Sequence, residues 1–179
     1  MPYIYIVPVA TPPSHWLKPL TQAVEGHFGL PVKSMPHCAI DIEQTYDHGR
    51  RQYSSSQILL QLIKNAPADT VKILGVAAVD LFIPILTYVF GEAQLGGKGA
   101  IVSLHRLDCR LYGLPADDHL LRERLNKEAI HELGHTFGLL HCTTPGCVLN
   151  ASTYVEDIDQ KGDSLCAECR ARIPGHMSA

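Results

Sequence analysis

The stretch HELGHTFGLLHC, residues 131–142, constrains this chain more tightly than any other part of its sequence. His131 and His135 are four residues apart, so on an α-helix both imidazoles lie on one face, where they can bind one metal ion. Gly138 can end that helix in a left-handed turn, which reverses the chain and brings His141 to the same ion. Three nitrogens and one water form an open, catalytic type of zinc site.

The glutamate of this stretch is a candidate general base. Glu132 lies about 100° around the helix from His131, so it cannot easily be a further ligand in the same plane. It can reach a water on the metal, which is the position of a general base. An alternative keeps zinc but takes Glu156, 21 residues after His135, as the third ligand of a His₂Glu site like that of thermolysin. That alternative leaves the glycine and the third histidine of the stretch without a function.

Four of the six cysteines crowd the last quarter of the chain. Four residues separate Cys142 from Cys147 and two separate Cys166 from Cys169, which is the spacing of a closed tetrahedral zinc site. Adjacent side chains of an extended chain point to opposite sides, so His141 can face a catalytic ion while Cys142 faces a structural one. Two alternatives stay open: four unrelated buried cysteines, or a redox pair at Cys166 and Cys169.

Composition limits the other possible functions. The chain has 179 residues, the size of one domain, and a formal net charge of −3, so nucleic acid is not expected as a partner. The apolar run 71–90 contains Asp80 and Pro84 and lacks the roughly 20 uncharged apolar residues of a membrane span. No leader-like segment opens the sequence, so we expect a cytoplasmic monomer without membrane contact. Cytosol keeps thiols reduced, and the isolated Cys38 and Cys109 are predicted to be packing residues.

Hydrophobic periodicity predicts alternating strands and helices. Strands are predicted at residues 3–9, 32–42, 71–79, 87–93 and 100–104. Helices are predicted at 15–28, after the serines at 54–56, after Asp117, and at 164–172. The segment 143–165 has little periodicity, several turn formers and few obvious core anchors, and after Asn150 the pattern weakens into loop.

The motifs together resemble one known family. HELGHTFGLLH fits the metzincin pattern H-E-x-x-H-x-x-G-x-x-H, and the following CTTPGC and CAEC resemble the archaemetzincins specifically. TYVFGEA, AIVSLHRL and DIDQKG are also similar to that family, so the resemblance covers nearly the whole chain. It implies an α/β (α+β) fold with a twisted mixed sheet, one antiparallel edge strand, an active-site helix and a small zinc-stapled C-terminal subdomain. The single domain 1–179 would then divide into residues 1–138 and 139–179.

The resemblance also implies the ligands. His131, His135 and His141 would bind catalytic zinc, and Glu132 would polarise the water. Metzincins are named for a methionine in a turn beneath the metal, and this chain has Leu149 at the matching position. Leucine has a similar volume, so the exchange should cost less than about 1.5 kcal/mol and leave the site intact.

These features predict a zinc metallopeptidase with two zinc ions per chain, one catalytic and one structural. Glu132 would take a proton from the zinc-activated water and pass it to the leaving amine. A peptide or protein substrate would lie extended along the edge strand at 87–93, and Tyr154 is a weaker candidate for a transition-state donor. Two other functions stay open: a zinc-containing module that binds a peptide or partner with little turnover, and a zinc hydrolase of a small amide.

Overall fold

The structure is a computed structural model and describes residues 2–10, 12–36 and 38–173. Its elements are β1 (Tyr3–Val9), α1 (Leu17–Phe28), β2 (Val32–Ser34), β3 (Tyr46–Asp47), β4 (Gln52–Ser54), α2 (Ser55–Lys64), β5 (Thr70–Ala77), β6 (Leu81–Phe82), β7 (Gly91–Ala93), β8 (Gly99–Ser103), α3 (Asp118–Thr136), α4 (Val155–Gln160) and α5 (Ala167–Ala171). Short 3-10 turns lie at Ser14–Trp16, Glu43–Thr45, His105–Leu107 and Cys109–Tyr112.

Five strands form a mixed sheet in the order β2-β1-β5-β8-β7. The first four run parallel to one another, whereas β7 is antiparallel to β8 and forms an edge. The predicted mixed sheet with one antiparallel edge strand is therefore confirmed. A second sheet of β3, β4 and β6 was not predicted. Its strands have only two or three residues, too few to leave a periodic signal.

Helices cover both faces of the central sheet. On one face, Ile4 and Ile6 of β1 pack in a cluster with apolar residues of α1 and α3. On the other face, Tyr5 and Val7 pack with Ile58 of α2. Successive side chains of a strand alternate between faces, so a strand that is buried on both faces has a continuous apolar sequence.

Local signals set the helix ends as predicted. The Ser54 side chain accepts a hydrogen bond from the Gln57 N–H and caps α2, and Asp117 caps α3 in the same way. Helix α3 ends at Thr136, and two residues later Gly138 has a φ of 84°. This left-handed residue reverses the chain directly after the helix.

The strand predicted at 32–42 is shorter in the structure and ends at Ser34. The Met35 N–H still donates to Ile6 O of β1, but Pro36 has no N–H with which to extend the ladder. The prediction failed because the apolar residues that follow, up to Ile42, pack against the α2 side of the sheet without joining it.

The strand predicted at 87–93 is regular only over its last three residues, which form β7. Residues 84–85 form a turn that brings the chain back towards the small sheet. Val89 then makes an isolated bridge to Leu81. Tertiary pairing with the small sheet therefore holds the segment that leads into the edge strand.

The segment 143–165 is anchored in the core, so the prediction of few anchors was wrong. It contains α4, and Val148, Leu149, Ile158 and Leu165 belong to the same hydrophobic cluster as α1 and α3. Their irregular spacing conceals them in the sequence. The predicted terminal helix is confirmed as α5, and residues 174–179 of the predicted subdomain lie outside the described residues. Within the described residues, no helix combines the length and apolar composition needed to cross a membrane.

Candidate active site and metal centres

Three imidazoles converge at the C-terminal end of α3. The ring centroids of His131 and His135 are 4.7 Å apart, and that of His141 lies 5.3 Å and 5.0 Å from them. The Nε2 atoms of His131 and His135 are 3.1 Å apart. One nitrogen of each of the three rings lies within 4.8 Å of the others. The structure thus brings the three predicted histidines around a position that one metal ion could occupy.

Two backbone carbonyls orient the helical histidines. Nδ1 of His131 lies 2.9 Å from Val148 O, and Nδ1 of His135 lies 2.7 Å from Leu139 O. A carbonyl oxygen only accepts hydrogen bonds, so each Nδ1 carries the proton when these bonds form. Each Nε2 then keeps its lone pair for a metal.

Burial keeps two of these imidazoles neutral. It lowers the pKa of His131 well below the usual 6.5, and the positive charge of Lys161 lowers it further. Burial also lowers the pKa of His141. Neutral imidazole is the form that binds a metal, so both rings are ready to bind near pH 7.

Glu132 faces the same cavity as the histidines. The cavity has a volume of about 500 Å³, and its lining includes residues of 83–91 and 152–154 together with Glu132 and the three histidines. Burial raises the pKa of the Glu132 carboxyl well above its usual 4.5, and the nearby charge of Glu128 raises it further. The site therefore combines three convergent imidazoles, two of them kept neutral by burial, with a carboxyl that is suited to carry a proton.

The four clustered cysteines meet at a second point. The Cys142 and Cys166 sulfurs are 3.9 Å apart, and the Cys147 and Cys169 sulfurs are 4.0 Å apart. All four sulfurs lie within 4.8 Å of one another, which fits a closed tetrahedral zinc site. Unrelated packing cysteines would not converge in this way.

The surroundings of the four thiols differ. A backbone hydrogen bond from Cys169 lowers the pKa of Cys166 to about 7, and hydrogen bonds from Thr144 lower the pKa of Cys142. Burial raises the pKa of Cys147 and of Cys169. Because thiolates are the metal-binding form, a metal would have to displace protons chiefly from the two buried thiols.

One peptide unit joins the two centres. His141 belongs to the histidine group and Cys142 to the thiol group, as predicted. The Cys142 N–H donates to Leu149 O at 3.0 Å, and the Asn150 side chain donates to Cys142 O at 2.7 Å. Backbone and side-chain hydrogen bonds therefore hold this junction in place. Cys109 is buried elsewhere and Cys38 packs against the α2 side of the core, as expected for packing residues.

Comparison with known proteins gives the family. The model of peptidase family M54 matches residues 21–174. An archaemetzincin of Pyrococcus furiosus is 39% identical over 177 residues, which cover 95% of this chain and 91% of the relative. The chain belongs to peptidase family M54.

Solved structures agree with this assignment of the peptidase. The crystal structure of an archaemetzincin from Archaeoglobus fulgidus, complexed with malonate, matches with a TM-score of 0.80 and 38% identity. The match covers 96% of the peptidase and 99% of that chain. A zinc-dependent peptidase from Methanocorpusculum labreanum matches with a TM-score of 0.86 and 31% identity over 95% and 99% of the two chains. The peptidase is therefore a zinc metallopeptidase, a hydrolase that acts on peptides, as the sequence predicted.

Leu149 packs directly against α3 in the peptidase. It is fully buried, and a Cβ added at Gly134 would lie 2.9 Å from Leu149 Cδ2. Gly134 lies between His131 and His135 on the helix, so the leucine supports the backbone that carries both ligands. Leu149 thus packs beneath this part of α3, at the position that matches the metzincin methionine.

Two weaker candidates have different locations. Tyr154 lines the cavity and is 64% exposed, so its side chain has room to move. Glu156 is exposed in the first turn of α4, whereas His141 lies with the helical histidines. The structure therefore favours the third histidine over the thermolysin-like alternative.

Sequence analysis missed Gly91, which brings the edge strand against Glu132. A Cβ added at Gly91 would lie 2.7 Å from Glu132 Cγ and 2.5 Å from the Ile101 carbonyl oxygen. These distances are shorter than real Cβ atoms tolerate, so the absent side chain leaves space for the glutamate. A glycine inside a predicted strand was the available signal, because such a glycine often marks a close approach.

Proposed function

We propose that the peptidase hydrolyses peptide bonds at the three-histidine site with Glu132 as general base. His131, His135 and His141 would hold the catalytic zinc, because one nitrogen of each ring converges with the others beside an open cavity. When bound, zinc lowers the pKa of a water ligand and polarises a carbonyl. Glu132 would accept a proton from that water and return it to the leaving amine, which its raised pKa favours near neutral pH.

We also propose that the second zinc is structural. Cys142, Cys147, Cys166 and Cys169 would hold it in a closed site with no position left for water. A redox pair at the last two cysteines would leave the convergence of the first two unexplained. Elemental analysis of protein purified without added metal should approach two zinc ions per chain. A folded protein with a reproducible value near zero would exclude both sites.

The substrate would bind as an extended strand along β7. Phe90 O accepts from the Ser103 N–H, and the Gln94 N–H donates to Gly99 O, so these backbone groups face β8. Along an antiparallel strand, the backbone N–H and C=O groups of successive residues point alternately to one side and the other. The backbone groups of Gly91 therefore face the free edge beside the cavity, together with those of Ala93. Among the described strands β7 pairs only with β8, so this edge can bind a peptide backbone.

One observation carries the proposal: three convergent histidines and a buried carboxyl face one cavity beside a free strand edge. A binding module without turnover needs no general base. A hydrolase of small amides needs no strand edge. The cytoplasmic location, the monomeric state and the exclusion of nucleic acid stay predictions from the sequence.

Glu132→Ala tests the assignment of the base. The variant should bind zinc as the parent does, while kcat on a peptide-library substrate should fall by roughly 10²- to 10⁴-fold. Glu123→Ala is the matched control, because Glu123 is an exposed carboxylate on the same helix. Cleavage by Glu132→Ala at the parent rate would show that Glu132 is not the base. A parent that binds library peptides without cleaving them would support the binding module.

The third ligand has its own test. His141→Ala should remove the catalytic zinc, whereas Glu156→Ala should leave both ions in place. Zinc content per chain after dialysis against a weak chelator measures the difference. The opposite result would support the thermolysin-like arrangement.

A further inference from the structure

A buried ion pair lies next to the histidine site. Lys161 Nζ is 2.7 Å from Glu128 Oε1, and the two side chains are only 2% and 3% exposed. Lys161 follows α4, and Glu128 lies on α3 three residues before His131. Removing two charges from water offsets most of their attraction, so such a pair contributes little net stability. Its significance therefore lies in the groups that it orients.

The ring nitrogen of His131 that faces this pair has two neighbours with opposite requirements. Val148 O lies 2.9 Å from Nδ1, and this contact requires a proton on Nδ1. Lys161 Nζ lies 3.3 Å from the same Nδ1. An ammonium group only donates, so this second contact becomes a hydrogen bond only when Nδ1 carries no proton.

The choice between these neighbours decides whether His131 can bind a metal. A neutral imidazole has one proton, and the hydrogen bond made by one nitrogen determines the state of the other. With the proton on Nδ1 and bonded to Val148 O, Nε2 is free to bind zinc. If Lys161 donates to Nδ1 instead, the proton moves to Nε2 and blocks the metal-binding atom.

Glu128 favours the first arrangement. Its carboxylate lies 2.7 Å from the Lys161 ammonium, closer than the 3.3 Å that separates the ammonium from the imidazole. The attraction between two opposite charges at this distance in the protein interior is stronger than that between an ammonium and a neutral ring nitrogen. Glu128 thus holds the lysine back, and Nδ1 stays bonded to the carbonyl.

We propose that Glu128 is a positioning residue that sets the tautomer of His131 by binding Lys161. The inference rests on the proposed catalytic zinc site. It predicts a movement of the His131 ring proton that a merely structural ion pair would not cause. Loss of the carboxylate should harm zinc binding, and further loss of the lysine should restore it.

The test measures the affinity of the histidine site for zinc by competition with a chelator. Glu128→Gln should weaken that affinity by about 10- to 100-fold, the usual effect of losing a partner that orients a metal ligand. The double variant E128Q/K161M should return to within about threefold of the parent, because the competing donor is gone. Zinc at the four thiols should be unchanged in both variants.

A neighbouring ion pair supplies the matched control. Arg124 Nη2 lies 2.7 Å from Asp159 Oδ2 and likewise joins α3 to α4, with 6% of the arginine side chain exposed. Within the described residues, neither side chain hydrogen-bonds to a histidine of the site. Asp159→Asn makes the same carboxylate-to-amide change and should leave catalytic zinc affinity within about twofold of the parent.

A second measurement locates the ring proton directly. Nitrogen-15 NMR of the zinc-free parent should place the His131 proton on Nδ1, and in Glu128→Gln it should lie on Nε2. A parent ring with its proton on Nε2 would overturn the proposal. So would parent-like zinc affinity in Glu128→Gln, or a double variant that binds zinc no better than Glu128→Gln. These measurements need no hydrolysis, so a parent that cleaves no peptide would refute the proposed function and leave this test intact.

Discussion

The histidine site and the cysteine site are built in opposite ways. Two of the three histidines project from α3, a helix of 19 residues whose inner face is fully buried at Leu125, Ile130 and Leu133. Of the four cysteines, only Cys169 lies within a helix, the five-residue α5. Regular structure therefore positions most ligands of the first site. The second site depends more on its metal to bring two loop segments together.

The cysteine site nevertheless supports the histidine site. The Gly162 N–H donates to Gly146 O at 3.1 Å, and the Val148 N–H donates to Ser164 O at 3.0 Å, so the two cysteine-bearing segments pair. Val148 O in turn orients His131. A substitution at the thiols should therefore also weaken zinc binding at the histidines, whereas a substitution at the histidines should leave zinc bound to the thiols.

Of the variants considered, Cys166→Ser should have the largest effect, because it should weaken both zinc sites. Loss of a thiolate weakens zinc binding, and with it the folding free energy that the metal supplies. We expect lost hydrogen-exchange protection at 142–148 and 162–171, and catalytic zinc affinity lower by at least about tenfold. The sheet before residue 105 should change little. Within 143–165, α4 should keep most of its protection, because Val155 and Ile158 are buried in the core.

Cys38→Ser is the control for this experiment. Cys38 is half-buried like Cys166 but lies outside the thiol group. It should leave both zinc ions and the exchange pattern of the C-terminal quarter unchanged. Parent-level exchange and zinc affinity in Cys166→Ser would show that the thiols do not support the histidine site.

The two sites should also differ in how readily they lose zinc, which is the next largest expected effect. The open histidine site has a position accessible to solvent and should lose its zinc first, both to a chelator and in acid. Burial lowers the pKa of His131 and of His141 below the usual 6.5, so the neutral rings persist to lower pH. Zinc should therefore be retained at pH 6.5 and released as the pH falls further. Zinc release and peptidase activity are measured together, and full activity after loss of the first equivalent would reverse the order.

Gly91→Ala should perturb the histidine site without involving any ligand. The added methyl group would meet Glu132 and the Ile101 carbonyl oxygen, so the glutamate or the strand must move. Displacement of a catalytic group by about 1 Å can lower kcat by the order of 100-fold. Gly26→Ala is the control, because nothing lies within 4 Å of a Cβ added there. Unchanged kcat in Gly91→Ala would mean that Glu132 needs no close approach of the edge strand.

Leu149→Met should have the smallest effect. The two side chains have similar volumes, and the leucine fills a fully buried position against Gly134. We expect a stability change below about 1.5 kcal/mol in thermal unfolding and parent-like zinc content. A large change in either direction would show that the methionine sulfur contributes more than volume.

The sequence by itself determined the two groups of predicted ligands and the helix that carries two of the three histidines. The spacing of His131 and His135 places both rings on one helical face, and Gly138 permits the turn that returns His141. Both ends of α3 follow from similar short-range signals, whereas the antiparallel edge strand was expected from the family resemblance. Such signals can be read because helix and strand geometry repeats every few residues.

Only the tertiary structure decided what surrounds those ligands. His131 is oriented by Val148 O, a backbone atom that every residue type provides, so the sequence gives no sign of it. Gly91 matters only because the sheet order brings β7 against α3. The pairing of Glu128 with Lys161 joins distant positions, and the anchors within 143–165 follow no period. A single contact between distant residues leaves no pattern in the sequence, because it depends on how the whole chain packs.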